Sequence, residues 1–217
     1  MITVNHVSKT YLQGETQIHA LSDVSLQIDP GETVAIIGTS GSGKSTLMSL
    51  MAGLDSPESG SIHFNETNIT QLSEKELSQF RAENIGIVFQ QFHLMPHLTA
   101  MENVMLPMEL TGKSDPESTA KKLLDQVGLS HRLHHRPHEL SGGECQRVAI
   151  ARATSVKPKL LLADEPSGNL DFETGKIVMD VIFDQVNGGD MTLVLVTHDR
   201  ELANRCSRTI EIKGGRV

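Results

Sequence analysis

Three short apolar runs, "TVAIIG" at 33–38, "LLLADE" at 160–165 and "MTLVLVTH" at 191–198, break off at polar residues and do not alternate strictly. Runs that are apolar on both faces read as central strands of a covered, largely parallel sheet, and ligands bind beyond the carboxyl ends of such strands. Gly38, Asp164 and His198 are therefore expected to meet at one sheet edge. "ITVNHV", "VSLQI" and "SIHFN" instead alternate apolar and polar positions, with the turn signals "DPGE" and "SPESG" among them, as half-exposed antiparallel strands do.

Helical spacing fills the rest. Leu47, Leu50, Met51 and Leu54 form a stripe near Gly53, and a helix over 174–186 is expected to stop at "NGG". In "LSGGECQRVAIARA", Ser141 precedes Glu144 at the capping-box spacing, and Cys145, Val148 and Ala149 follow at i, i+3 and i+4, so a helix starts there. Gly142 and Gly143 carry no side chains, so the N–H groups of that helix start are expected to face outward, ready for an anion. The section from about 91 to 140 reads as a helical lobe inserted into the core. There Thr99 and Glu102 make a second capping box, and Asp115-Pro116-Glu117 opens a helix carrying Ala120, Leu123, Leu124 and Val127. Met101, Val104, Met105 and Met108 make a stripe that is either lobe core or partner surface. Phe92, Leu94 and Met95 lie outside it and are candidates for docking.

Composition narrows the class. The chain has 217 residues, enough for one substantial domain, and a hydrophobic fraction of 38% before glycine is counted, so disorder is not indicated. A net charge of −8 with no lysine or arginine run argues against a nucleic-acid groove or an anionic-lipid anchor. Cys145 and Cys206 show neither metal spacing nor a disulfide framework, which fits a reducing compartment. "MITVNHVSKT" lacks the marks of a secretion signal and no apolar run reaches the length of a membrane span, so a soluble, cytoplasmic protein is expected.

The chemistry sits at the strand ends. "GTSGSGKS" at 38–45 fits G-x-x-x-x-G-K-[ST] between a strand and a helix, the context that the phosphate-binding loop requires. Its backbone N–H groups wrap phosphates, Lys44 brings a point charge to the β and γ groups, and the Ser45 hydroxyl can ligate Mg²⁺. The nucleotide-binding set here is Gly38, Thr39, Ser40, Gly41, Ser42, Gly43, Lys44, Ser45 and Thr46. In "LLLADEP", Asp164 can hold the metal through water while Glu165 orients and deprotonates a water nucleophile. His198, ending the last apolar run, can donate to the γ-phosphate and link it to the attacking water. "HRLHHRPH" at 131–138 holds four histidines, but no carboxylate or cysteine completes a ligand pattern and Pro137 breaks any helix, so a solvated connector is expected.

Taken together, 38–45, Gln90 in "VFQQF", "LSGGE" at 140–144, "LLLADE", "SGNLD" at 167–171 and His198 resemble the ATPase subunit of ABC transporters over essentially the whole chain. The resemblance implies an α/β P-loop NTPase fold of the ABC ATPase type. That fold has a mostly parallel core sheet with flanking helices, an antiparallel β layer and an inserted α-helical lobe. The core lobe would span about 1–90 and 150–217 and the helical lobe about 91–149. It also implies ATP and Mg²⁺ as cofactors, with Ser45, Gln90 and Asp164 about the metal and Glu165, His198 and Gln90 as catalytic residues. Ser141, Gly142, Gly143 and Glu144 would face the ATP held by a second subunit, either in a homodimer or beside a paralogous ATPase, and Asp171 would link the two sites. Tyr11 resembles the aromatic that stacks on adenine, the alternative for a lone hairpin tyrosine being surface packing. "AGLDSPESG", "IGIVFQQFHLMPHLTAMENVMLPMEL" and an ending at "EIKGGRV" resemble the lipoprotein-releasing, macrolide-exporting and cell-division group, the MacB, LolD and FtsE type. For that group the resemblance implies integral membrane permease subunits as partners, a place on the cytoplasmic face of the inner membrane, and no direct nucleic acid. The rival class is a soluble ABC ATPase acting on DNA or ribosomes. It is opposed by the acidic charge, the single cassette, the lack of zinc-type cysteine pairs and the lack of room for a long coiled coil between Ser45 and Leu140.

Overall fold

A computed structural model of the chain describes residues 1–14, 16–187 and 191–217. In chain order these form β1 (Ile2–Gln13), β2 (Thr16–Ile28), β3 (Thr33–Ile37), α1 (Lys44–Met51), β4 (Ser59–Phe64), β5 (Thr67–Asn68), α2 (Glu74–Asn84), β6 (Ile85–Val88) and α3 (Ala100–Leu110). There follow α4 (Pro116–Gln126), α5 (Gly142–Thr154), β7 (Leu160–Asp164), α6 (Phe172–Val186), β8 (Thr192–Val196), α7 (Arg200–Ala203) and β9 (Arg208–Glu211). Two compact units divide the chain: Met1–Arg81 with Thr192–Val217, and Ala82–Met191.

The first unit carries an antiparallel sheet in the order β2-β1-β4-β5 and the parallel strands β8-β3-β9. Ile2, Val4 and Val7 of β1 are all buried although Val4 and Val7 are three apart. A register shift lies between them, and His6 there takes φ +50, so a bulge turns both valines to one face. β1 and β2 run well past the alternating segments read from sequence, because neighbouring residues at their joined end, Tyr11 and Leu12 of β1 and 16–19 of β2, are exposed in succession and show no alternation. α1 buries Leu47, Leu50 and Met51 and packs against β1, β2 and β8. Leu54, expected in the same stripe, lies beyond the helix and is exposed. Gly53 at φ +62 ends α1 with paired bonds from Gly53 N–H to Leu50 O and from Leu54 N–H to Ser49 O, a Schellman stop. α2 has no counterpart among the elements read from the sequence, although Ser73 and Glu76 bond reciprocally at its start and "SEKE" carries that signal.

The second unit pairs β6 with β7 in parallel and packs α3, α4, α5 and α6. Ala100, Val104, Met108, Ala120, Leu124, Val148 and Ala151 form its helical core, with Met101 and Met105 lying against it. The methionine stripe is thus lobe core. The Thr99–Glu102 box and the Asp115 cap stand where the sequence places them. α6 begins at Phe172, two residues early, because the Asp171 carboxylate caps it through the Thr174 N–H. Of the "NGG" stop, Gly188 and Gly189 lie outside the described residues.

Candidate functional site

In the first unit β3 and β8 are parallel with Ile36 opposite Val196, so Gly38 and His198, each two residues further on, lie at the same carboxyl edge. A Cβ at Gly43, where φ is +106, would strike the Ala20 carbonyl oxygen, and one at Gly38 would strike that of Ile212. Glycine is required at both positions for the loop to sit on its backing strands. Lys44 Nζ donates to the carbonyls of Gly38 and Thr39 at 2.9 Å each, which holds the ammonium within the loop. Thr39, Ser40, Gly41 and Ser45 are exposed along its rim. Side chains of Thr99, Asp115, Ser141 and Asp171 cap α3, α4, α5 and α6, but none caps α1. Its first N–H groups, those of Lys44, Ser45 and Thr46, therefore remain for a ligand. The Ser42 hydroxyl is buried and finds no hydrogen-bond partner among the described residues. Uncapped donors, a positive dipole end, an ammonium and an orphaned hydroxyl fit a phosphate chain.

Tyr11 stands beside this helix. Its hydroxyl donates to Asp55 Oδ2 at 2.8 Å, while Lys9 Nζ donates to Asp55 Oδ1 at 2.6 Å and lies 5.2 Å from the ring centroid. Partial burial, then the bond to Asp55, raises the Tyr11 phenol above its ordinary value despite a bond with Thr46. Burial raises the Asp55 carboxyl, but bonds from Lys9, Tyr11 and the Ser56 N–H outweigh it and leave the group below its ordinary value. Tyr11 as a whole remains 39% exposed. Lys9, Asp55 and Thr46 as its anchors escaped the sequence, since Asp55 is 44 residues away. His198 is exposed between two fixed neighbours: the Thr197 N–H donates to Ile36 O, and Asp199 caps α7.

In the second unit Val88 lies opposite Ala163, so Gln90, Asp164 and Glu165 follow at one carboxyl edge. Glu165 takes φ +45, a left-handed conformation that is uncommon outside glycine and gathers at functional sites. Gln90 is exposed and tied to Asn169: its Nε2 donates to Asn169 Oδ1 at 3.0 Å, and Asn169 Nδ2 donates back to Gln90 O at 3.1 Å. α5 braces the same segment. Gln146 Nε2 donates to Phe89 O at 3.2 Å, and Arg152 donates to Phe92 O at 3.0 Å and His93 O at 2.6 Å. Burial lowers the Arg152 guanidinium from its ordinary value. Beyond that brace, Leu94 packs on the helical core while Met95 is 45% exposed. The Thr174 side chain, then its N–H, holds the Asp171 carboxyl below its ordinary value.

The capping box at the start of α5 is complete: Glu144 N–H donates to Ser141 Oγ, and Ser141 N–H donates to Glu144 Oε2 at 2.8 Å. Arg132 Nε donates to Glu144 Oε1 at 2.9 Å. Both carboxylate oxygens are thus engaged within the chain. Ser141 and Gly142 are exposed, but Gly143 is buried, and a Cβ there would strike Thr174 Cγ2. The open approach expected at both glycines is seen at Gly142, while the Cα side of Gly143 is packed where α5 meets α6. The connector at 131–138 has structural work: the carbonyls of His135 and Leu133 accept the N–H groups of Ala100 and Met101 at the start of α3, and Arg132 reaches Glu144. Among the described residues no group of three or more His, Cys, Asp or Glu side chains is placed to hold a metal.

The bond from the Ser141 N–H, which outweighs burial, then Arg132 and the Ser141 hydroxyl, lowers the Glu144 carboxyl from 4.5 to about 2. A carboxyl depressed by folding stabilises the fold above its unfolded value, and that contribution fades as pH falls through the folded one. Between about pH 4.5 and 2 the protein is expected to lose up to about 3 kcal/mol from this group. Urea titrations across that window should show Glu144→Ala with a shallower acid limb than the parent; equal slopes would refute the assignment.

A glycine cradle before an uncapped helix in one unit, and adjacent carboxylates at a parallel strand end in the other, define a P-loop nucleotide hydrolase. The family model described as ABC transporter matches residues 21–168. The chain is 47% identical to the lipoprotein-releasing system ATP-binding protein LolD of Geobacter metallireducens, over 100% of this chain and 97% of that protein. It is 45% identical to the uncharacterized ABC transporter ATP-binding protein YbbA of Escherichia coli K12, over 100% and 96%. Its structure is similar to the dimeric post-hydrolysis state of the ATP-binding cassette MJ0796 bound to ADP and Pi, with a TM-score of 0.93, 40% identity, and coverage of 100% and 96%. The chain belongs to the ABC transporter family, as an ATP-binding and ATP-hydrolysing subunit.

Proposed function

We propose that two copies of this chain, or one copy and a paralogue, hold two ATP molecules between them head to tail, and that closing and reopening of the pair drives membrane permease subunits of the lipoprotein-releasing type. The 47% identity to LolD over the full chain supports that type, and the dimeric MJ0796 cassette supports the pair. No described helix is long and apolar enough to cross a membrane; in this reading the partner subunits hold the chain at the cytoplasmic face, as the likeness to LolD supports. Exposed Met95, with Phe92 and Leu94 beside it on the segment clamped by Arg152, is the proposed contact for them.

The observation that carries the two-copy reading is the exposed start of α5. There Ser141 accepts the Glu144 N–H and still has its hydroxyl proton to give, and Gly142 leaves the approach open. In this reading Ser141 and Gly143 serve the γ-phosphate held on the partner copy's loop, with Glu144 fixing the turn and Asp171 linking the two sites. On its own copy, the loop at 38–45 with Thr46 binds the phosphates and Tyr11 stacks on adenine. His198 donates to the γ-phosphate, and Glu165 takes the proton of the attacking water. Hard oxygen donors on Ser45, Gln90 and Asp164 suit Mg²⁺, which when bound neutralises phosphate charge. The test is ATPase rate per molecule against protein concentration. A rate that climbs with concentration and then levels off is expected; a rate per molecule independent of concentration at high dilution ends the two-copy reading.

A further inference from the structure

Gln90 and Asn169 are 79 residues apart in sequence and meet through two hydrogen bonds, and those bonds settle which way each amide points. Asn169 donates through Nδ2 to the Gln90 main-chain oxygen, a group that can only accept, so the Asn169 Oδ1 must be the end that faces the Gln90 side chain. An oxygen facing that side chain can only accept, so Gln90 must present Nε2 to it. A carboxamide has one oxygen, and with Nε2 turned to Asn169 the oxygen Oε1 is the end left for a ligand. Gly168 lies under the same carboxamide, where a Cβ would come 2.8 Å from Nε2, so the group is also packed in place.

From this we infer that Asn169 is a positioning residue for Gln90: it fixes the carboxamide so that oxygen, the atom a hard divalent cation accepts, is offered and nitrogen is withheld. The inference rests on the reading of Gln90 as a metal ligand. The role assigned to Asn169 acts through Gln90, by the two hydrogen bonds between them. It lies in the loop between Glu165 and Asp171, so Gln90 is oriented from the segment that carries both.

Binding of Mn²⁺ to the full chain with a non-hydrolysable ATP analogue, followed by the free-ion electron paramagnetic resonance signal, tests this without turnover. Asn169→Ala is expected to weaken Mn²⁺ binding about tenfold, with metal-free analogue affinity and melting temperature unchanged. A Gln90→Glu background offers oxygen at both ends of the side chain, so there Asn169→Ala is expected to change Mn²⁺ affinity by less than about twofold. No loss in the parent background, or an equal loss in both backgrounds, overturns the inference and leaves the role of Gln90 standing. Wild-type Mn²⁺ affinity in Gln90→Ala overturns the reading of Gln90 and the inference with it. Should Asn169→Ala not fold, Asn169→Ser, too short to reach Gln90, is read the same way.

Discussion

Glu165→Gln is expected to lower ATP turnover by about 10²- to 10⁴-fold while leaving ATP affinity near that of the parent. Glutamine keeps the size of the side chain and its capacity to hydrogen-bond, and it occupies the left-handed backbone at φ +45 no worse than glutamate does. What it loses is basicity, the property needed to take a proton from water. If hydrolysis is the step that removes the γ-phosphate contacts holding two copies together, the variant should accumulate as an ATP-bound pair. Size-exclusion chromatography in saturating Mg-ATP reads this directly. A pair is expected for Glu165→Gln and fails to persist for the parent. A variant that elutes only as monomer contradicts the coupling of hydrolysis to reopening.

The second large effect is expected at Ser141. Replacing it with arginine places a long cation where a phosphate oxygen should sit, and turnover should fall by about 10²-fold or more while a single copy still binds nucleotide through its own loop. The structure complicates that experiment, because Ser141 also caps α5, and loss of an N-cap alone costs about 1 kcal/mol. Ser141→Asp separates the two roles. Aspartate caps a helix as well as serine does but sets a negative charge against the γ-phosphate. Melting temperature should then be close to the parent's, with turnover still lost and equilibrium nucleotide binding retained. Turnover unchanged in Ser141→Asp would remove the basis for a site completed by a second copy.

Much of the site was legible because its signals are local. The loop at 38–45, the caps at Thr99, Asp115 and Ser141, and the apolar runs that became β3, β7 and β8 all depend on residues within a few positions of one another. The shortfalls share a cause. Leu54 fits the helical period, yet its helix ends because Gly53 takes a left-handed turn, and periodicity alone does not see backbone handedness. The joined ends of β1 and β2 carry no alternation to read, since Tyr11 and Leu12 of β1 and 16–19 of β2 are exposed in succession. In the sequence Gly143 reads first as open toward an anion and second as a glycine for tight helix packing. Its burial against Thr174 depends on how α5 packs on α6, 31 residues later in the chain.

By itself, then, the sequence determined the chemistry on offer: a phosphate cradle, two carboxylates at a strand end, a histidine after another strand, and a capped helix start with an open approach. Those follow from covalent spacing and short-range hydrogen bonding, which a chain carries wherever it folds. Only the tertiary structure decided which groups hold which. Asn169 turns Gln90, Arg152 clamps the segment beyond it, Asp55 and Thr46 anchor Tyr11, and the carbonyls of Leu133 and His135 close the start of α3. The physical reason is that a donor and acceptor dozens of residues apart find each other through strand register and helix packing. Those arise from the summed burial of many apolar side chains, and no window of a few residues contains that sum.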